Sequence, residues 1–227
     1  MAVSVEVQGL TYDVHQKVLN LVQSRGLSGE ETLNVGQLAD RFGVSRTPIS
    51  MALMRLESEG LIRRCPTKGW VTVPLTMTDI EEIFELKDAL EPLTMRRAAE
   101  RMDAANGARL AEAMAKLRES SAANDLDGWL SADHEFHEVL HGVVGNGRLR
   151  QFQEQLNYHL YRLTVGHVSM KGQMAMATEE HCAIGEAILA NDPELAVGKA
   201  SEHTRNLRDR MVGVVTEVLI PFLGQNL

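Results

Sequence analysis

Cysteine is scarce in this 227-residue chain, with Cys65 and Cys182 the only two. They stand far apart and without metal-type spacing, which excludes a disulfide framework and a zinc-finger cluster and fits a reducing, cytoplasmic setting. Long apolar runs are also missing. No stretch approaches the roughly 18 uninterrupted apolar residues of a membrane span. No basic segment leads into an apolar one near the first residue, so neither a spanning helix nor a secretion signal is expected. There is no glycine-rich phosphate loop, no dinucleotide fingerprint and no nucleophile motif.

What remains is the composition of a soluble globular protein, 44% apolar with a net charge of −8. The length suits a domain of about seventy residues followed by one of about 150, each able to bury its own core. The division is expected at residues 1–75 and 76–227. The negative charge is uneven. From Arg41 to Lys68 there are six Lys and Arg (Arg41, Arg46, Arg55, Arg63, Arg64, Lys68) against two acids, Glu57 and Glu59. Nucleic-acid affinity follows the local field at the contact surface, so a basic head on an acidic body is compatible with DNA. So small a local excess points to a dimer as the binding form.

Within that basic segment, Leu38-Ala39-Asp40-Arg41-Phe42-Gly43-Val44-Ser45-Arg46-Thr47-Pro48 has the form of a helix-turn-helix. One helix ends at Gly43, and Ser45 or Thr47 caps a second that carries Arg46 in its first turn. A helix reading the major groove needs polar and cationic side chains at that end. Ile49, Leu53, Met54 and Leu56 supply its inward face at helical spacing. Residues 60–64 and 70–73 read as two short strands joined by a turn at 65–69, a wing with Lys68 and the Gly69 backbone at its tip.

Residues 10–74 resemble the winged-helix domain of GntR-type bacterial transcription regulators. The resemblance rests on Leu38-Ala39, Gly43-Val44-Ser45-Arg46-Thr47-Pro48-Ile49, Ala52-Leu53, Leu56 and Gly60-Leu61. It implies DNA contact through Ser45, Arg46, Thr47, Lys68 and Gly69. Ser50 stands where the family usually has arginine, Met51 where it often has glutamate, and Gly36 where many members are charged. Ser50 is therefore the position at which operator sequence is expected to diverge.

Beyond Pro74 no strand is expected. Six helices are predicted at about 79–104, 107–122, 125–144, 147–168, 173–190 and 193–222, with Thr78 capping the first and a break at Asn106-Gly107. The second domain is thus read as an all-α antiparallel bundle, making the fold mainly α. Asp133 and His137 lie one helical turn apart, and His181 and His203 fall on the fifth and sixth helices. One carboxylate and three imidazoles can converge on a divalent transition metal, with zinc, nickel, manganese and iron all suited to such donors. On the residues alone, capping or surface histidines are the default reading. Met170, Met174 and Met176 read as a cluster before the fifth helix, either an adaptable lid or core filler.

Residues 79–222 are similar to the FCD effector domain of the FadR branch of GntR regulators. The matching segments are Asp133-x-x-Phe136-His137, Gly145-Asn146-x-x-Leu149, Glu180-His181 and Asp192-x-x-x-Ala196 followed by His203. The resemblance implies that Asp133, His137, His181 and His203 are metal ligands, with zinc the first choice. Six helices make the domain more similar to the VanR-type subgroup. It further implies a small carboxylate effector held beside the metal. Lys87 replaces an arginine in the pattern Lys87-Asp88-Ala89-Leu90-Glu91 and keeps the charge but not the bidentate fork; Asn146 and Arg162 are further effector-binding candidates. The expectation is a dimeric, ligand-responsive DNA-binding regulator, usually a repressor, and not an enzyme. Two rivals stand beside it: a metal-dependent hydrolase or lyase using the Asp and His site, against which no clear general base stands beside the ligands although Glu135, Glu138 and Glu180 are near in sequence, and a regulator whose metal is purely structural.

Overall fold

The computed structural model describes residues 13–22, 30–168 and 172–216, with the side chains of 162–168 and 214 excepted. Contacts divide the described residues into a unit ending at Thr76 and a unit beginning at Met77. Among the described residues, no helix is long and apolar enough to cross a membrane.

The first unit opens with helix α1 (residues 13–22), which buries Val14, Val18 and Leu19 at helical spacing. Strand β1 (Thr32–Leu33), helix α2 (Val35–Phe42), helix α3 (Arg46–Ser58), strand β2 (Ile62–Cys65) and strand β3 (Gly69–Thr72) follow. Asn34 caps α2 by accepting from the Gln37 N–H at 3.1 Å. Gly43 ends that helix at φ 65°, a left-handed conformation that costs glycine little, and the chain then turns into α3. Ile49, Ala52, Leu53 and Leu56 form the buried stripe of α3. Met54, expected inward, is 47% exposed; Ala52 completes the i, i+3, i+4, i+7 face instead.

The three strands form an antiparallel sheet in the order β1-β3-β2. Gly69 lies in β3 at φ 76° opposite Cys65, so the connecting turn is the shorter Pro66–Lys68. β1 was not expected. It is two residues long, too short to show alternation, and Glu31 and Thr72 tie it down: the Thr72 N–H donates to the Glu31 carbonyl (3.0 Å), and the Glu31 N–H to Thr72 Oγ1 (2.9 Å).

The second unit consists of six helices among the described residues: α4 (Met77–Arg101), α5 (Ala104–Ala123), α6 (Leu126–Val144), α7 (Gly147–Val168), α8 (Gln173–Leu189) and α9 (Pro193–Val214). α4 packs on α6 and α9, α5 on α6 and α8, and α8 on α9. Their core is built on Trp129, Phe136, Met114, Leu117, Leu140 and Ile188, among others. Burial of such side chains stabilises by about 1.5–3 kcal/mol each. Trp129 also donates its indole N–H to Thr178 Oγ1 at 2.8 Å, as a buried indole requires.

Three local expectations need correction. α4 begins at Met77, so Thr78 sits inside its first turn and does not cap it. The break before α5 falls at Met102-Asp103, not at Asn106-Gly107. Asp103 Oδ1 accepts from the Asn106 N–H at 2.7 Å, and Gly107 lies within the helix, where an added Cβ would sit 3.3 Å from Leu189. Met174 and Met176 belong to α8, one buried and one exposed, rather than to a loop before that helix; Met170 lies outside the described residues.

Candidate functional site

At the reading end of α3, Ser45, Arg46 and Thr47 are exposed and Ser50 partly so. Ser45 holds the cap position in extended conformation, yet its hydroxyl makes no capping bond, which leaves it available to an outside partner. Among the described residues no acid pairs with Arg46. Four other cations of this unit are held differently. Glu30 pairs with both Arg63 and Lys68, the latter at 3.9 Å. Glu59 pairs with Arg55 at 2.9 Å. Arg64 lies over the Trp70 ring, 4.3 Å from its centroid, and 3.9 Å from Glu57. Lys68 and Gly69 are both exposed at the wing tip.

In the bundle, α6 carries Asp133 and His137 on one face, α8 brings His181, and α9 brings His203. The donor atoms of Asp133, His137 and His181 lie within 4.8 Å of one another. The His203 ring stands against this trio, 4.7 Å from His181 between centroids. Phe136 and Trp129 meet the His181 ring edge-on, at 5.3 and 6.0 Å, and wall the group on its core side.

Hydrogen bonds orient the imidazoles. His181 Nδ1 lies 2.7 Å from the Ala177 carbonyl, which can only accept, so that nitrogen carries the proton. In the neutral ring Nε2 is then a lone pair, and it lies 3.0 Å from Asp133 Oδ1, a second acceptor. Two acceptors at that distance need a positive charge between them, either a second ring proton or a cation. Asp133's charge and hydrogen bond, with the Ala177 carbonyl, raise His181 above its ordinary value although burial opposes them. Burial likewise works against ionised Asp133, but His181, His137 and His203 hold it down at about 2. Withdrawal from water takes His137 down to about 4 and also lowers His203, so both rings present neutral nitrogen near pH 7. The converging donors are thus one carboxylate and two imidazoles, with the His203 ring beside them but outside the trio, and the outer nitrogens of His181 and His203 are bonded to Ala177 and Glu180. That is the chemistry a divalent transition metal requires of its ligands and of their supports.

The effector candidates fare differently. Lys87 is buried, and its ammonium donates to Glu91 Oε1 at 2.9 Å and to Asn157 Oδ1 at 3.1 Å. It is therefore already neutralised within the fold. Burial opposes ionised Glu91, but Lys87, His137 and His203 bring it to about 2. Asn146 is exposed and caps α7, accepting from the Leu149 N–H at 3.2 Å. Arg162 lies on α7, but its side chain is outside the described ones. The three carboxylates weighed as catalytic bases are all engaged: Glu135 with Lys116 at 2.8 Å, Glu138 with Arg150 at 2.9 Å, and Glu180 with Arg210.

Glu91, Asn157, Asn206 and Arg210 were not singled out as functional from sequence. Lys87 and Glu91 do show i, i+4 spacing, and His203, Asn206 and Arg210 fall at i, i+3, i+7 along α9. Both signals are common on solvated helices, and only packing distinguishes the buried case.

Comparison with known proteins bears on both units. Residues 10–71 match the family model "Bacterial regulatory proteins, gntR family", and residues 82–206 match that of the FCD domain. An uncharacterized HTH-type transcriptional regulator of Agrobacterium vitis, from the TAR-I ttuE-ttuC' intergenic region, is 40% identical over 111 residues; the match spans 46% of this chain and 63% of that relative. The HTH-type transcriptional regulator YdhC of Bacillus subtilis is 26% identical over 191 residues, 82% of this chain and 84% of its own length. Among solved structures, E. coli McbR/YncC superposes with a TM-score of 0.79 at 20% identity, covering 90% of this chain and 97% of that one, a likeness of fold.

Proposed function

The chain belongs to the gntR family of bacterial regulatory proteins, in the branch that carries an FCD domain, and is a DNA-binding transcription regulator; from there we propose a metal-assisted switch. In this reading it is a cytoplasmic homodimer and a repressor. Each subunit sets α3 in a major groove, with Ser45, Arg46, Thr47 and Ser50 facing base edges and phosphates, and Lys68 and Gly69 at the wing tip meeting the backbone. A two-fold dimer then selects a palindromic operator.

The observation that carries the bundle's role is the Asp133–His181 pair, a carboxylate oxygen 3.0 Å from a buried ring nitrogen where a ring proton or a cation must supply positive charge, beside two more imidazoles. Asp133, His137, His181 and His203 would hold a divalent transition metal, zinc foremost. Bound there, it supplies a positive charge that neutralises a small carboxylate effector. The chain's own residues do the rest. Asp133 and the Ala177 carbonyl fix the His181 ring. Lys87, neutralised by Glu91, offers any remaining donor hydrogen to the effector rather than an unpaired charge. Phe136 and Trp129 keep water from the core side. Regulation requires that the effector bind DNA-competent and DNA-incompetent states with different affinity.

Footprinting of the purified protein on the DNA flanking its own gene tests the first half. A protected palindrome, lost on Arg46→Ala, is expected. Absence of any specifically protected site in that neighbourhood overturns it.

A further inference from the structure

Among the described residues of the bundle, a polar cluster surrounds Glu180, next to the candidate ligands. Its carboxylate accepts four hydrogen bonds, all from α9. His203 Nδ1 lies 2.7 Å from Oε2, and Asn206 Nδ2 lies 2.9 Å from Oε1. The Arg210 guanidinium closes on both oxygens, at 2.8 and 2.6 Å. The side chains of Glu180 and Arg210 are only 16% and 12% exposed. The Arg210 guanidinium and the Asn206 amide nitrogen have only hydrogens to offer, so both carboxylate oxygens face donors. Bridged on both oxygens by Arg210, the carboxylate acts as acceptor throughout, so the proton between it and His203 belongs to the imidazole.

That assignment has a consequence for the other side of the ring. With Nδ1 protonated, the lone pair of neutral His203 sits on Nε2. We infer that Glu180, locked by Arg210, is the positioning residue that fixes the tautomer and orientation of His203, so that its Nε2 serves the metal site. The inference rests on reading Asp133, His137, His181 and His203 as ligands. Glu180 precedes His181 in sequence, so the same carboxylate ties the helix bearing one ligand to the helix bearing another. Arg210 acts at one remove: its fork neutralises Glu180, and its Nε is buried with no partner among the described residues. A carboxylate that merely stapled α8 to α9 would need only the Arg210 and Asn206 bonds. The bond to the imidazole nitrogen is what makes it a support for a ligand.

The test uses the full chain, with Zn(II) and Ni(II) as probes in competition with a chromogenic chelator. Wild type, Glu180→Gln, His203→Ala and the double variant are compared. Loss of an outer-shell partner typically weakens metal affinity by about 10–100-fold, and that loss is expected for Glu180→Gln. If Glu180 acts through His203, the double variant binds no more weakly than His203→Ala, within about twofold. Imidazole nitrogen NMR on the metal-free wild type gives a readout independent of any variant's folding. His203 is expected as the Nδ1–H tautomer, and Glu180→Gln is expected to lose that single form. Full additivity of the two losses overturns the inference, as does unchanged affinity in Glu180→Gln or an Nε2–H tautomer in the wild type. A wild type that takes up neither metal overturns the ligand reading together with it. Metal uptake that is indifferent to Glu180→Gln removes the positioning role alone.

Discussion

Replacing Lys87 by methionine isolates the buried pair beside the histidine cluster. The side chains of Lys87 and Glu91 are only 8% and 12% exposed, and the ammonium also serves Asn157. Lys87→Met leaves a carboxylate in a site built for a paired charge. Breaking a buried pair by removing one partner costs about 3–5 kcal/mol. For a helical unit of this size each kcal/mol shifts the melting temperature by about 2–4 °C, so a fall of about 6–20 °C follows. Circular dichroism melts at pH 7.5 read it directly. The deficit narrows as pH falls, because Glu91, released from Lys87, takes up a proton more readily. The double variant Lys87→Met with Glu91→Met removes both charges, and such replacements are neutral or stabilising by about 1–4 kcal/mol, so most of the loss returns. A Lys87→Met protein that melts within about 2 °C of wild type, a shift of about 1 kcal/mol or less, refutes the reasoning. It would mean that the pair is solvated in solution and Lys87 is free to receive an anionic ligand.

Other consequences are independent of that pair or extend it. Glu91 sits near 2 in the folded protein against an ordinary 4.5, so its stabilisation is complete above about 4.5 and is lost as pH falls toward 2. Glu91→Gln should flatten that acid limb in pH-dependent melts; an unchanged limb would place the acid sensitivity elsewhere. In the reading head, Glu30→Gln frees Arg63 and Lys68, so DNA affinity should rise at low salt and the salt slope steepen by about one to two ions, by anisotropy titration. Equal slopes for wild type and variant would show that Glu30 yields to phosphate at no cost. Gly43→Ala meets no neighbour within 4 Å yet must adopt φ 65°, so it should destabilise the winged unit by about 1–2 kcal/mol in urea titration. Wild-type stability would rule out strain at that turn.

Much of the architecture was readable because its signals are local. Gly43 at the turn, the apolar stripe from Ile49 to Leu56, and the Asn124-Asp125 and Asn191-Asp192-Pro193 breaks each act within a few residues of themselves. The errors came where a local signal met a stronger neighbour. Asn106-Gly107 is a good turn pair, but Asp103 caps the helix three residues earlier and draws both into α5. Met54 fits a helical stripe by spacing, but the buried face runs through Ile49, Ala52, Leu53 and Leu56 and leaves Met54 on the exposed side. β1 exists only through its pairing with β3. At the candidate metal site, Asp133 and His137 share a turn of one helix, whereas His181 and His203 depend on α8 and α9 for their approach, and it was family resemblance that named all four together. What sequence could not supply was ownership of charge. Lys87 looked like a free cation and is bound to Glu91. Glu180 looked like a spare base and holds His203. Both facts depend on which helix faces are buried, and that is set by packing.

The central claim is that the bundle's metal site controls the DNA-binding head. Its most direct test is operator affinity, measured by fluorescence anisotropy on metal-loaded protein with and without a panel of small carboxylates, for wild type and Asp133→Ala. The account predicts that at least one carboxylate changes wild-type affinity by about fivefold or more, the lower end of allosteric coupling, and that Asp133→Ala abolishes this change while still binding the operator. Identical carboxylate responses in wild type and Asp133→Ala would contradict it.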